Sequence, residues 1–486
     1  YHRETVLGTI EHAATFRDSW LRWQWQALAA TVESGKNGAF VLPPLEHQTD
    51  PAAALDLLRM MDEAEVRVDT LQNAATDTGG ARHPRGSFVI RLDQPFAGWP
   101  KALLPPTIYP NPDASSRPYD TTTHSLGVHM GVEASLVEHE EDWSLAPVAI
   151  ESLDGISSLD ERRTGQGRWM AIDPRSHDAI RVVTAAMTQG GRVHRLHRSH
   201  FSEGRIFDPG TWLISDVPTE SLHQEADRLG VRSYSLTPVS EGLLAQRQPR
   251  IGVHLADWQN ATDAGWTRLI LDEAGVPYEI LADRDIRDSD LDQFDVILLP
   301  HATAAQLVTG HKETEYPEEF AGGLRESGFT QLRQFVEQGG QLVAIDGSAQ
   351  ALIEQLGLPV ELPLAKLTDA EFFAPGAAIR TVVDTTHPLG WGLPAILPAL
   401  QSGKNALRAN PESSASAPLK FVAEDLVASG WLYGGEQLAG LDAVIDLPHG
   451  AGFFTLIAIR PQFRAQTYVS FNLLFNALYR SGLSQA

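Results

Sequence analysis

Apolar positions along the 486-residue chain follow two rhythms. Short apolar runs bounded by Gly, Pro, Asn or Asp read as buried strands, and stretches with an apolar residue every three or four positions read as helices. The first helical stretch, "EHAATFRDSWLRWQWQALAATVES" (11–34), sets Phe16, Trp20, Trp23 and Leu28 near one face, and Gly35 and Gly38 follow as stop signals. It predicts one amphipathic helix whose tryptophan stripe is core or domain interface, a ligand platform being the rarer use of such a stripe.

From residue 38 the pattern repeats. "GAFVLPP" (38–44), the helical "PAAALDLLRMMDEAE", the strand "VRVDTL" and the hairpin-like "GGARHPRGSFVIRLDQP" return in the same order as "GRWMAIDP" (167–174), "HDAIRVVTAAMTQGG", "RVHRLH" and "GRIFDPGTWLISDVP". Two β-α-β-β units in tandem predict a duplicated α/β module. Gly86 and Gly210 fall at matching places shortly after a proline, where a tight turn enters a strand. Between the copies, "SSRPYDTTTHSLGVHMGVEA" (115–134) reads as a linker with a packing helix after Asp120.

Beyond about residue 245 the rhythm becomes strand and helix in alternation: "RIGVHLAD", "AGWTRLILDEAGV", "YEILA", "DVILLPH", "TQLRQFVEQGG" and "QLVAIDGSAQALIEQLG". This is the pattern of a parallel sheet covered on both faces. The predicted fold class is α/β, a duplicated β-α-β-β module followed by a doubly wound, flavodoxin-like or class I amidotransferase-like parallel-sheet domain. The expected segments are 1–37 (the helix), 38–140 and 141–245 (the two copies) and 246–486 (the doubly wound domain). At roughly 100–200 residues per domain, this length holds about three or four.

Composition narrows the function. Sixty-two acidic against 38 basic residues give a net charge of −24, which repels phosphate backbones and anionic membranes and argues against nucleic acid as a partner. No apolar run approaches the roughly 18–20 residues of a membrane-spanning helix. With no cysteine, the chain has no disulfide, no thiolate zinc site and no cysteine nucleophile.

Chemistry in a doubly wound sheet is expected at the carboxyl ends of its strands. There "QLVAID", a sharp turn and "AQALIEQLG" form a strand-elbow-helix unit, and the later "FFTLIAIRPQFRAQ" ends another strand. The order resembles class I glutamine amidotransferases, in which the elbow carries a cysteine and the later strand ends in His-Pro-Glu. Here the elbow falls on Asp346, followed by Gly347 and Ser348, and the later strand ends in Arg460, Pro461 and Gln462. The resemblance therefore implies the fold without its catalytic residues. Asp346 as a carboxylate nucleophile, or Ser348 activated by His301, is the hydrolase alternative, though neither has a base at matching spacing. Arg460 is expected either in a structural ion pair or, with Asp346, as a clamp for a small carboxylate or glycan.

Metal chemistry has one sequence trace. His200 and Glu203 form the only His-x-x-Glu, and His311 lies 108 positions beyond Glu203. The pair falls in the hairpin of the second copy and His311 in the polar "TGHKETEYPEE", so the spacing reads as coincidence. The neighbouring His194, His197 and His200 would scatter over both faces of a strand and read as a solvated basic strand end.

Five stretches, "HPRGSFVIRLDQP", "RPYDTTTHSLGVHMGVE", "DTTHPLGWGLP", "ASGWLYGGEQLAG" and "IRPQFRAQTYVSFNLLFNAL", together resemble the region that follows the catalytic domain in large bacterial M14-family zinc carboxypeptidase-like proteins. The resemblance implies an accessory region that needs no cofactor of its own. Zinc would lie in a preceding peptidase domain of the same polypeptide, the main partner, with residues 1–37 as the link. It also implies an exported parent, periplasmic or extracellular, that removes C-terminal residues from peptides. The alternative of a different class is a stand-alone module for a peptide, small molecule or glycan. The sequence leaves the oligomeric state open.

Overall fold

The computed structural model describes residues 2–110, 112–113, 115, 117–138, 143–149, 169–255, 261–312, 314–317 and 321–485. Gly167 and Arg168, expected to open the second copy, and Ala256 and Asp257, expected to end the strand that starts at Arg250, lie outside these residues. Contacts divide the chain into two compact units, 1–48, 54–105 and 132–153 in one, and 49–53, 106–131 and 154–486 in the other.

In the first unit, residues 11–34 are helical as expected, but the helix is one of two, His2–Thr15 and Arg17–Ser34, that meet at Phe16. Neither has a buried residue, and Trp20, Trp23 and Trp25 are about half or more exposed. The stripe is thus not part of a core within this chain; Trp20 and Trp23, one turn apart, stack edge to face on each other.

The repeat is present and reaches further than its sequence trace. The sheet of the first unit runs Ser135–Glu138, Gly38–Leu42, Phe88–Arg91, Asp69–Leu71, Leu145–Pro147. In the second unit the corresponding sheet runs Ser233–Leu236, Trp169–Ile172, Trp212–Ser215, Arg192–Leu196, Leu243–Gln246, with Leu483–Gln485 added at the end. Position for position the first five strands match, including outer strands with no strong apolar signature. Gly86 and Gly210 both sit at φ +86°, a conformation that costs a side-chain-bearing residue roughly 1–2 kcal/mol. Their amides donate to Leu71 O (2.8 Å) and Leu196 O (2.6 Å), closing the same turn in each copy.

A ten-stranded sheet dominates the second unit. Glu279–Leu281, Ile251–His254, Val296–Leu299, Gln341–Ile345 and Gly452–Ile457 are parallel in that order, and the sheet continues antiparallel through Asp442–His449, Ser416–Phe421, Ala377–Val383 and Ile396–Gln401. The tenth strand, Val427–Ser429, pairs with Ala377–Val383. The central parallel strands are buried along their whole length, as helix cover on both faces requires. Helices Ala261–Glu273 and Tyr468–Tyr479, and helices Arg325–Glu337 and Gly347–Leu356, supply core residues to two separate clusters. The first cluster is continuous with that of the second repeat copy, joining Val182, Val183 and Leu222 to Val253, Ile345, Leu474 and Tyr479.

Candidate functional site

The carboxyl ends of the parallel strands converge on Asp346. Its backbone, at φ 54° and ψ −116°, lies outside the regions open to most residues, so the strand-to-helix turn is the strained elbow the sequence predicts. Two neighbours hold it there. The Asp346 amide donates to Ile457 O (2.6 Å), and a Cβ on Gly347 would stand 2.5 Å from Ala302 O, so the next position needs glycine.

The side chain at the elbow is fully engaged. Asp346 is 1% exposed; its Oδ1 accepts from Asn405 Nδ2, and its Oδ2 accepts from Arg460 Nε at 2.5 Å. His301 Nδ1 lies 2.9 Å from the same Oδ2 and 3.2 Å from the Gly347 amide. A proton on that nitrogen is donated to Asp346, whereas a bare nitrogen accepts from Gly347, so the two contacts belong to different tautomers. Burial works against ionisation of Asp346, but Arg460 and then His301 outweigh it and hold the carboxyl below its ordinary value.

Arg460 is the hub of a second contact, from Nη1 to Asp263 Oδ2 at 3.5 Å. Asp263 opens helix Ala261–Glu273 and is 1% exposed; burial raises its pKa, and Arg460 and His301 only partly offset that. Among the described residues, the Asp263 Oδ1 atom and the Oε1 atom of the fully buried Gln462 have no hydrogen-bond partner, while Gln462 Nε2 donates to Thr267 Oγ1 at 3.3 Å. Asp346 at the elbow and Arg460 after the neighbouring parallel strand thus meet in space as an ion pair. Of the two roles open to Arg460, the structure shows the ion pair; its fork is already shared between two carboxylates.

Ser348 is not poised to react. It is fully buried, its Oγ donates to Pro300 O (2.5 Å) and accepts from the Ala302 amide (3.1 Å), and His301 points instead at Asp346. The hydroxyl fastens the elbow helix to the loop after the neighbouring strand.

The His-x-x-Glu residues do not converge with His311. His200 pairs across the two-stranded hairpin His200–Ser202/Arg205–Phe207, Glu203 is the turn residue at φ 54°, and His311 stacks on Tyr316 with ring centroids 3.9 Å apart. Among the described residues, no cluster of ligating side chains includes any of the three. His194 lies flat on Trp169 (5.3 Å), a packing contact.

Sequence reading missed Asn405 and Asp263, which reach the elbow from a loop and a helix start, and the buried pair His254–Asp283 (2.7 Å), which lies at another strand end. Of these, His254 and Asp263 carried a signal, since each falls where a parallel strand gives way to the following helix. The stretches that suggested a family are joints. Thr122 Oγ1 accepts from the Trp431 amide and donates to Gly376 O, Thr123 donates to Ser429, and His387 caps Leu389 while Trp391 Nε1 donates to Thr386 O.

The strand order, half parallel and half antiparallel, with an elbow after the fourth parallel strand, defines an α/β architecture of the class I glutamine amidotransferase type. No protein-family profile matches the chain, and no curated protein matches its sequence. Solved structures that overlap with it include PurLQS from Thermotoga maritima (14% identity, TM-score 0.32, 48% of this chain and 98% of that one). A glutamine amidotransferase from the same organism overlaps with 11% identity and TM-score 0.32, over 48% of this chain and 98% of the other. A β-galactosidase from Bacillus circulans sp. alkalophilus overlaps with 9% identity and TM-score 0.30, over 50% of this chain and 32% of the other. The fold assignment rests on strand order and elbow geometry, not on these overlaps. Among the described residues no helix is long and apolar enough to cross a membrane.

Proposed function

We propose that this chain is a non-catalytic accessory region of a zinc carboxypeptidase-like protein, with hydrolysis and zinc assigned to a peptidase domain of the same exported polypeptide and residues 1–37 as the link. One observation supports the non-catalytic part above all: at the elbow where a nucleophile would stand, both oxygens of Asp346 are occupied, by Asn405 on one side and by Arg460 and His301 on the other. A carboxylate nucleophile needs a free, accessible oxygen, and Ser348 has its proton committed to a backbone carbonyl. The five-stretch resemblance supports the parentage.

Two measurements test the reading. The purified 486-residue chain should release no C-terminal amino acid from peptides, hydrolyse no glutamine and take up no serine-reactive label; release that a chelator abolishes would overturn it. The intact mass of the protein from its native host should exceed the 53.1 kDa of this chain by a whole domain, and an equal mass would remove the peptidase parentage.

A further inference from the structure

The helical arm that opens the first unit carries an aromatic row on its surface. Helices His2–Thr15 and Arg17–Ser34 have no buried residue, and Phe16, Trp20 and Trp23 are 47, 49 and 57% exposed. The rings touch in sequence: the centroid of His12 lies 4.6 Å from that of Phe16 and 6.1 Å from that of Trp20, and Trp20 lies 5.5 Å from Trp23. The row runs through the joint between the helices, because the Phe16 amide donates to His12 O (2.9 Å) and the Trp20 amide to Phe16 O (3.0 Å). Leu28 and Val32, which are half-buried, fall on another face at 100° per residue, so the contacts that hold the arm to its unit leave the row uncovered. Helices of 14 and 18 residues draw most of their stability from a packed face, and this arm lacks one.

The spacing of the row points to another helix as its cover. Ala13, Phe16, Trp20, Trp23, Ala27 and Ala30 alternate steps of three and four residues, the repeat with which one helix lies along a second. Their sizes are self-complementary when two copies run antiparallel. With a two-fold axis between Leu21 and Arg22, Trp20 of each copy faces the second copy's Trp23, Phe16 faces Ala27, and Ala13 faces Ala30. Beside these layers His12 falls next to Glu33 and Arg17 next to Gln24, so no like charges meet. A parallel pair in register would instead set each aromatic ring on its own counterpart, leave alanine opposite alanine and bring His12 beside Arg17. Three arginines against four carboxylates give residues 2–34 a net charge of −1, whereas the whole chain carries −24, so two arms meet without the repulsion that the rest of the chain brings.

We propose that this arm pairs antiparallel with the arm of a second copy of the chain, Trp20 against Trp23 on both sides of the two-fold axis. Four indoles at the centre, each with roughly 150–250 Å2 to bury when fully covered, are the anchors of the interface. The pairing goes beyond the accessory role proposed above and does not depend on a peptidase domain preceding the arm.

Sedimentation of the whole chain over a range of concentrations tests the proposal. The mass should pass from the 53.1 kDa of one chain to twice that value as concentration rises. Trp20→Glu and Trp23→Glu together, on a face where folding should be spared, should weaken the dimer about a hundredfold or more with an unchanged melting temperature. Because the chain has no cysteine, crosslinking reads the register: an oxidised mixture of Ala13→Cys and Ala30→Cys chains should give a covalent dimer, and either variant alone should not. A monomer at every concentration overturns the proposal, and binding of that monomer to phosphatidylcholine vesicles would reassign the tryptophans to a membrane surface. A dimer that survives the double Trp variant, or a cysteine variant that crosslinks to itself, overturns the proposed pairing.

Discussion

Asp346 and Asp263 flank one guanidinium and are pushed in opposite directions. Asp346 ionises more readily in the folded chain than in the unfolded one, so its contribution to stability is complete above the unfolded value of about 3.9 and is lost as pH falls through its lower folded value. Asp263 keeps its proton longer in the folded chain, so its contribution is present below about 3.9 and is lost as pH rises through its higher folded value. Asp346→Asn should therefore destabilise at neutral pH, by about 3–5 kcal/mol for a broken buried pair, and should flatten the acid limb of a plot of melting temperature against pH. Asp263→Asn should gain on the wild type as pH rises above about 4. Equal losses at neutral pH in the two variants would contradict this division of roles. Ser348→Ala leaves the Ala302 amide without its acceptor and should cost about 1–3 kcal/mol in denaturant melts.

Among the elements, the two turns closed by Gly86 and Gly210 offer an internal control. Their backbone angle is the same, but their surroundings differ: a Cβ on Gly86 would meet only Pro44 at 3.7 Å, whereas one on Gly210 would overlap Trp391. Gly86→Ala should cost the backbone strain of about 1–2 kcal/mol, and Gly210→Ala about 1–3 kcal/mol more for overpacking. Chemical denaturation of both variants checks the difference, and equal costs would mean that Trp391 yields freely. One outer strand of the ten-stranded sheet, Ile396–Gln401, carries Pro398, which has no amide to offer an added strand.

On the scale of the whole molecule, Arg195 ties the second repeat copy to the amidotransferase-like part. It is 2% exposed, lies between Trp212 (3.9 Å) and Trp391 (4.7 Å), and donates to Gly210 O (3.0 and 3.2 Å) and Asn476 Oδ1 (2.9 Å). Burial lowers its pKa, and stacking on two indoles with a fork of neutral acceptors offsets part of that cost. Lysine could neither stack nor fork, so Arg195→Lys should lower the melting temperature in a single transition, at a cost of about 1–3 kcal/mol. If the repeat melted apart from the large sheet in wild type, the continuous core would not act as one cooperative body.

The sequence by itself determined the doubly wound strands and the tandem repeat, because buried parallel strands are apolar throughout and Gly86 and Gly210 mark the same turn in each copy. It also placed Asp346 at the turn after one parallel strand and Arg460 and Gln462 after another. Whether those groups are free or bound to each other depends on separations across 114 residues, and only the tertiary structure decided that in favour of the ion pair. The outer strands of both copies, the exposure of the tryptophan helices, Asn405 at the elbow and Arg195 between two indoles were decided there too. Each depends on what lies across the fold from a residue, and a linear pattern of polar and apolar positions does not carry that information.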